Sequence, residues 1–415
     1  MILHPGILAL MLSSLLISVA VAYAASWAVA ILGRWDPASS SELQLGLERR
    51  TYLISTIVSY TFALQLCSLF LFIHVADQIS HLIVGAMCAA GTLSANSFGY
   101  PTLLLKVATF ILGGLWLLLN HADNRGYDYP LIRRKYRLLL FIVPFVLIET
   151  VMQALFFLKL RPDIITSCCG ALFSAGSPGI ASEIAAMLPR PTMVAFYFCI
   201  MATITAAMLV ARTGKGAYLF AMMSAAAGAV SLVSLLSFIS LYYYESPSHH
   251  CPFCILQQEY GHVGYLLFPL ILGAMIAGLG TGLLQPFREQ QSLSRIVPRL
   301  QRTYATAAAL LLLIWLALVT FEIATSNLVL LDQAQNLPET RRLHAAGTVG
   351  GYGENSAVVT ETHHYASWER GWGTALLLQG FRSSGRFADG KGLPVHHRFN
   401  HFLSSLGQES LHCAP

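Results

Sequence analysis

Eight apolar runs, each about 20 residues or longer, constrain this chain more than any other feature of its sequence. A helix needs roughly 20 apolar residues to cross the hydrocarbon core of a bilayer. Lipid offers no hydrogen-bond partners to the backbone, so runs of this length must be helical. They cover residues 6–33, 52–74, 101–120, 137–160, 191–211, 217–243, 263–284 and 304–328. The sequence therefore predicts an all-α, polytopic integral membrane bundle of eight transmembrane helices.

The composition agrees with a membrane protein and argues against other classes. Hydrophobic residues make up 55% of the 415-residue chain and charged residues only 11%, whereas soluble domains carry about 25% charged residues. The net charge of +5 is modest and gives no case for nucleic acid. We therefore expect the lipid bilayer as the main surroundings of the chain and no nucleic-acid partner.

The distribution of Lys and Arg predicts the orientation. Basic residues cluster in every second loop, and residues 75–100 and 244–262 contain no Lys or Arg. Because basic loops stay in the cytoplasm, the lysine- and arginine-free loops are predicted to face outward. The N-terminus and the tail then also lie outside, in a cell membrane that we take to be a bacterial inner membrane.

The two ends of the chain need separate interpretations. Ala22-Tyr23-Ala24 resembles a signal-peptide cleavage site, but no positive residue precedes the first apolar run, so we expect a retained helix. Residues 1–328 form the predicted membrane domain. Residues 329–415 are rich in Gly, Ser, His and Arg with weak periodicity, which predicts a flexible extracytoplasmic tail.

Two cysteine pairs lie in loops on the predicted outer side. The first is Cys251-Pro252-Phe253-Cys254, which follows His249 and His250, and the second is Cys168-Cys169. Pro252 suits the first position of a helix, which would make Cys251 the N-cap of a membrane helix. The helix dipole would then favour the Cys251 thiolate. A protonated histidine before it would act in the same direction.

The segment Cys251-Pro252-Phe253-Cys254-Ile255-Leu256-Gln257 resembles the CxxC region of DsbB-type thiol oxidases and vitamin K epoxide reductase-like proteins. The resemblance covers about residues 247–280. It implies that Cys251 and Cys254 are a catalytic redox pair that exchanges electrons with a quinone, and that a thiol-containing extracytoplasmic protein is the partner. Cys168 and Cys169 are the nearest match to the second, shuttle pair of these families. The DsbB helix carries an Arg soon after its CxxC, where this chain has Gln257-Gln258-Glu259.

Other uses of these cysteines stay open at this point. Cys168 and Cys169 form either a strained vicinal disulfide, which would be readily reduced, or separate bonds to other sulfurs. Four thiolates, or thiolates with histidines, would also suit Cu(I), Zn or Hg, as in a soft-metal transport or insertion protein. A membrane scaffold subunit with structural disulfides is the third alternative. We predict the thiol–disulfide oxidoreductase, without a resident metal.

Ionisable residues inside the apolar runs give a further clue. Charged groups in a membrane usually face the bundle interior and pair. Lys106 in the third run can pair with Glu149 or with Glu322, and either pair is a candidate proton or headgroup site. We take Lys106, Gln257 and Glu322 as candidate residues for binding the electron carrier.

The loop assignments generate the first testable prediction. Residues 121–136 should be cytoplasmic and residues 244–262 extracytoplasmic. Single cysteines introduced into a cysteine-free chain report this through labelling by a membrane-impermeant maleimide. We expect labelling at position 259 and none at position 128 in intact cells. Labelling at position 128 would contradict the predicted orientation.

Overall fold

The structure, a computed structural model, describes residues 3–35, 41–126, 129–161, 166, 183–184, 187–247 and 249–328. Its regular elements within these ranges are helices, and eight of them are long and apolar enough to cross a membrane. The long helices are α1 (Pro5–Arg34), α2 (Glu42–Gln78), α4 (Gly99–Asp123), α5 (Ile132–Leu158), α6 (Pro189–Thr213), α7 (Ala217–Ser234), α9 (Gly264–Leu283) and α10 (Ile296–Thr325). Two short ones are α3 (Ala89–Ser94) and α8 (Ser240–Tyr244), the latter continuing α7. The predicted all-α polytopic bundle is confirmed. The predicted tail, 329–415, lies outside the described residues, as do Cys168 and Cys169.

The eight long helices form two bundles of four with the same order of contacts. In the first bundle α1 packs on α2, α2 on α4, α4 on α5, and α5 back on α1. In the second, α6, α7, α9 and α10 repeat this ring in the same order. The third helices of the two rings, α4 and α9, pack against each other and join the bundles. The sequence had given no sign of this internal repeat.

Small residues allow the close helix contacts. A Cβ added at Gly280 of α9 would meet the side chain of Leu118 on α4, and one at Gly114 of α4 would meet Ile276 on α9. Gly278 faces Ser224 of α7 in the same way. The hydrophobic effect does not drive helices together inside a membrane. Close approach of the backbones instead provides the van der Waals contacts that stabilise helix packing there.

The connections between helices gather at two ends of the bundle. At one end lie the segments 79–98 and 245–263, and we call it the cysteine end because it contains Cys88, Cys251 and Cys254. We call the opposite end the arginine end. The connecting residues there are 35, 124–126, 129–131, 214–216 and 284–295. Arg133 Nη2 donates to the carbonyl of Trp35 over 2.8 Å there.

The outer surface of the helices is apolar, as a bilayer requires. Large side chains of α1, α6 and α10 are between 60% and 76% exposed, among them Leu12, Leu16, Val19, Phe198 and Leu310. Exposed apolar area of this extent on long helices matches lipid contact rather than contact with water. The chain is therefore a multi-pass membrane protein surrounded by lipid.

A buried ion pair crosses the first bundle. Lys106 Nζ lies 2.8 Å from Glu149 Oε1 and donates to Ser68 Oγ over 2.7 Å. The second carboxylate oxygen of Glu149 accepts from Gln65 Nε2 (2.6 Å) and Thr109 Oγ1 (2.5 Å). Both charged side chains are 1% exposed. Three helices, α2, α4 and α5, are thus held by one fully hydrogen-bonded network.

Of the two pairs predicted for Lys106, the structure contains the one with Glu149. Glu322 lies near the end of α10, partly exposed, with the carboxylate of Glu245 as its charged neighbour. A second buried pair joins Lys135 Nζ to Asp123 Oδ2 (2.7 Å) toward the arginine end.

The buried pair generates the second prediction. Lys106→Met leaves the Glu149 carboxylate unpaired in an apolar interior, which costs about 3–5 kcal/mol. The double variant Lys106→Met/Glu149→Leu should recover most of that loss because no lone charge remains. Unfolding of the purified protein in detergent measures both. Lys215→Met, at an exposed lysine, is the control and should change little. A double variant no more stable than the single one would contradict the prediction.

Candidate thiol centre

Three cysteines from two separate loops meet at the cysteine end. Cys88 comes from the segment between α2 and α4, and Cys251 and Cys254 come from the segment between α8 and α9. The sulfurs of Cys88 and Cys251 are 3.6 Å apart, and all three lie within 4.8 Å of one another. Their exposed fractions are 0% for Cys88 and Cys251 and 4% for Cys254. Each bundle thus contributes the loop before its third helix.

The predicted N-cap role of Cys251 is wrong. The residues after it form two single 3-10 turns, Cys254–Leu256 and Gln258–Tyr260, and α9 begins only at Gly264. Gly261 (φ 63°) and His262 (φ 55°) both adopt the left-handed conformation, which interrupts a right-handed helix. No dipole of a long helix therefore acts on the Cys251 sulfur, and the residue is fully buried rather than exposed.

His249 lies against Cys254 rather than Cys251. Its Nε2 atom is 3.3 Å from the Cys254 sulfur. Burial lowers the pKa of His249, although the nearby Cys88 acts in the opposite direction. The ring is thus favoured in its neutral form, which can accept the proton of a thiol. A neutral ring does not supply the positive charge that we predicted beside the cysteines, and its Nε2 atom is placed to exchange a proton with the Cys254 thiol.

His250 is fixed by an irregular turn at the end of α7. Residues Leu235–Ile239 form a π-helical segment between α7 and α8, and His250 Nδ1 lies 2.8 Å from the Leu236 carbonyl. A carbonyl only accepts, so Nδ1 carries the hydrogen. Burial lowers the pKa of this histidine too, which leaves Nε2 with a free electron pair. Such π turns are frequent at functional sites.

Gln257 joins the two cysteine loops through its side-chain amide. Its amide nitrogen donates to the Met87 carbonyl (2.8 Å) and to Asp77 Oδ1 (3.3 Å). The same carboxylate oxygen accepts the Ala89 backbone N–H (3.1 Å). Both backbone neighbours of Cys88 are thereby tied to the loop that carries Cys251. Gln257 therefore positions the two loops relative to each other, and its predicted role in carrier binding stays a prediction.

Tyr244 fixes the other side of the centre. Its hydroxyl donates to the Cys251 carbonyl over 2.5 Å. Its ring packs edge-on against His249, with ring centroids 4.5 Å apart, and against Tyr260 at 4.6 Å. The Tyr244 side chain therefore fixes the positions of both the Cys251 backbone and the His249 imidazole beside Cys254.

Sequence reasoning missed Cys88 as a member of the centre. The residue lies 163 positions before Cys251, so no local spacing links them. Two signals were available: the loop 75–100 lacks Lys and Arg, and it faces the same predicted side as the CPFC loop.

The Cys88 loop also contacts Thr166. Gly85 adopts φ 83° where the Thr166 carbonyl comes close, and Thr166 N donates to Val84 O over 3.0 Å.

The other predicted site residues do not converge on this centre. Lys106 is engaged with Glu149 and Ser68, and Glu322 lies on α10 beside Glu245. With Gln257 bonded to Asp77 and Met87, the three candidates for carrier binding have separate partners, and their role in carrier binding stays a prediction. Cys168 and Cys169 lie outside the described residues, and their role stays a prediction.

No family model, curated protein or solved structure matches this chain.

Proposed function

We propose that the chain is a membrane thiol–disulfide oxidoreductase in which Cys88, Cys251 and Cys254 exchange disulfide bonds at an outward-facing cysteine end. The observation that carries the proposal is the 3.6 Å separation of the Cys88 and Cys251 sulfurs, with Cys254 within 4.8 Å of both. Three thiols at this separation can form one disulfide and keep one thiol to attack it. The resemblance of the CPFC segment to DsbB-type oxidases supports the same chemistry.

Exchange within the centre needs no outside electrons. Starting from a Cys88–Cys251 disulfide, Cys254 gives its proton to His249 Nε2 and attacks the Cys251 sulfur. The Cys88–Cys251 bond breaks, the Cys251–Cys254 bond forms, and Cys88 leaves as the thiolate. The number of disulfides is unchanged, so the step moves oxidising equivalents between the two loops.

A substrate dithiol enters at Cys254, the thiol with some exposed surface. Its first thiolate attacks Cys254 in the Cys251–Cys254 disulfide and releases the Cys251 thiolate. Its second thiol then attacks the substrate sulfur of the mixed disulfide and releases Cys254, so the substrate leaves as a disulfide and all three cysteines of the centre are left reduced. By the resemblance, the substrate is a thiol-containing protein outside the membrane, and a quinone re-oxidises the centre.

From the sequence we expect Cys251, as the more exposed thiol with the lower pKa, to attack the partner and Cys254 to resolve the mixed disulfide. Because Cys251 is fully buried, the third prediction assigns the attack to Cys254 instead. We compare Cys88→Ser/Cys251→Ser, which keeps Cys254, with Cys88→Ser/Cys254→Ser, which keeps Cys251, both in a Cys168→Ser/Cys169→Ser background. With glutathione disulfide as the probe, the chain that keeps Cys254 should form a mixed disulfide roughly tenfold faster or more, because His249 Nε2 lies 3.3 Å from the Cys254 sulfur and can accept its proton, and because Cys254 has some exposed surface whereas Cys251 has none. Intact-protein mass spectrometry measures the rate.

His249→Gln in the chain that keeps Cys254 should remove most of that advantage, whereas His262→Gln, at the far end of the same loop, should not. Faster reaction through Cys251 would restore the order predicted from the sequence. No mixed disulfide in either chain, with all cysteines oxidised in the parent, would favour a static structural disulfide.

The third cysteine also favours a second candidate, a soft-metal centre. Zinc–thiolate bonds of about 2.3 Å in tetrahedral geometry place sulfurs about 3.8 Å apart, which falls within the range found here. Thiolates select Cu(I) and Zn, and His249 supplies a nitrogen donor 3.3 Å from the Cys254 sulfur. A buried cation would neutralise buried thiolates, so transport or insertion of a soft metal is the alternative function.

The fourth prediction separates the two functions. We expect protein purified without oxygen to contain well under one equivalent of Cu or Zn by elemental analysis. One equivalent that is lost in Cys88→Ser and kept in Cys199→Ser, a cysteine of α6 away from the centre, would make the metal centre the better description and overturn the redox proposal.

A further inference from the structure

The arginine end contains a cavity of about 370 Å³ lined by Arg125, Arg295, Ile296 and Arg299. Arg125 follows the last turn of α4, and the other three lining residues belong to the start of α10. Three arginines from two bundles therefore line one cavity. The cavity lies at the opposite end of the helices from the thiol centre and is independent of it.

No carboxylate balances these arginines in the described part of the chain. The two ion pairs found there join Lys106 to Glu149 and Lys135 to Asp123, so Asp123, close to Arg125 in sequence, is already engaged. Glu289, on the segment that leads to α10, is exposed and makes no ion pair with the arginines of the cavity. The cavity is thus a concentration of positive charge.

The positions of Arg295 and Arg299 make the positive charge unfavourable in free energy when the cavity is empty. They stand four residues apart around the first turn of α10, where like charges repel. The N-terminus of this 30-residue helix also carries the positive end of its dipole. An anion would relieve both effects. The fork of an arginine fits the oxygens of a phosphate in particular.

One buried polar atom close to these arginines also lacks a partner. Tyr304, two turns further along α10, is 8% exposed, and its hydroxyl makes no hydrogen bond in the described structure. Arg125 is the charged group that acts on this phenol. A buried hydroxyl donor without an acceptor, on the same helix as Arg299 and under the influence of Arg125, is a second feature that an anionic oxygen would satisfy.

We propose that this cavity binds a phosphate group, using Arg125, Arg295 and Arg299. Basic pockets between membrane helices at the cytoplasmic surface hold phospholipid head groups, and the predicted orientation places the arginine end there. The phosphate can come from an anionic phospholipid or from a free phosphate in solution, and the experiment distinguishes these sources.

The test uses the full-length protein in a neutral detergent. Native mass spectrometry and thermal unfolding are recorded with cardiolipin, with phosphatidylcholine and with inorganic phosphate. The variant is R125Q/R295Q/R299Q. The control, R34Q/R49Q/K215Q, removes the same charge from exposed positions at the same end, outside the cavity.

Cardiolipin should bind the parent and the control and raise their unfolding temperature, with roughly tenfold weaker binding for each cavity arginine removed. Stabilisation by inorganic phosphate alone, lost in the cavity variant, would assign the site to a free phosphate and likewise support it. If the triple variant does not fold, R299K, which keeps the charge but loses the fork, should still bind more weakly than R49K. Equal binding by cavity and control variants would overturn the proposal.

Discussion

The absence of hydrogen-bond partners in lipid governs the whole structure. Within the apolar runs the backbone satisfies itself in helices, so irregular backbone is confined to the two ends of the bundle. There the loop carbonyls and N–H groups find side-chain partners: Ala89 N bonds to Asp77, Met87 O to Gln257, Cys251 O to Tyr244 and Leu256 O to His262. These bonds satisfy the backbone and, by the same contacts, hold the three sulfurs together.

The repeated four-helix ring explains why the thiol centre lies where it does. Each ring has its longest irregular segment at the cysteine end before its third helix, and the third helices α4 and α9 are the ones that touch. The contact between these helices therefore brings the preceding loops side by side. One loop supplies Cys88 and the other supplies Cys251 and Cys254, so the centre belongs to the interface between two similar halves and to neither half alone.

The sequence was enough to predict the eight membrane helices, but it was not enough to predict which residues form the thiol centre. A membrane helix can be predicted from the length and apolarity of a run, because crossing the bilayer requires little else. All eight predicted runs correspond to helices of the structure. The pairing of Lys106 was narrowed to two partners, because a buried charge needs an opposite one, and one of these partners, Glu149, is present. The choice between them needed the packing of α4 on α5.

The details of the centre depend on conformation and contacts that no local pattern specifies. Pro252 is compatible with a helix start, but the chain forms two 3-10 turns and the left-handed residues Gly261 and His262 before the next long helix begins, so Cys251 is not its N-cap. The hydrogen bond from the Gln257 amide to the Met87 carbonyl depends on a loop of the other bundle. Cys88 could be assigned to the centre only from the tertiary structure, in which the two bundles pack against each other.

That division of the centre between halves has a consequence for biosynthesis. Cys88 is made 163 residues before Cys251, and at about 5–20 residues per second the ribosome needs on the order of ten seconds or more to deliver its partner. During that interval an emerging Cys88 thiol faces whatever oxidant is present, without the sulfur that belongs beside it. Asp77, whose carboxylate accepts the Ala89 N–H in the complete fold, is made before Cys88 and is available to hold the Cys88 loop. Pairing of Cys88 with Cys251 therefore requires that the first loop stay reduced until the second half has been translated.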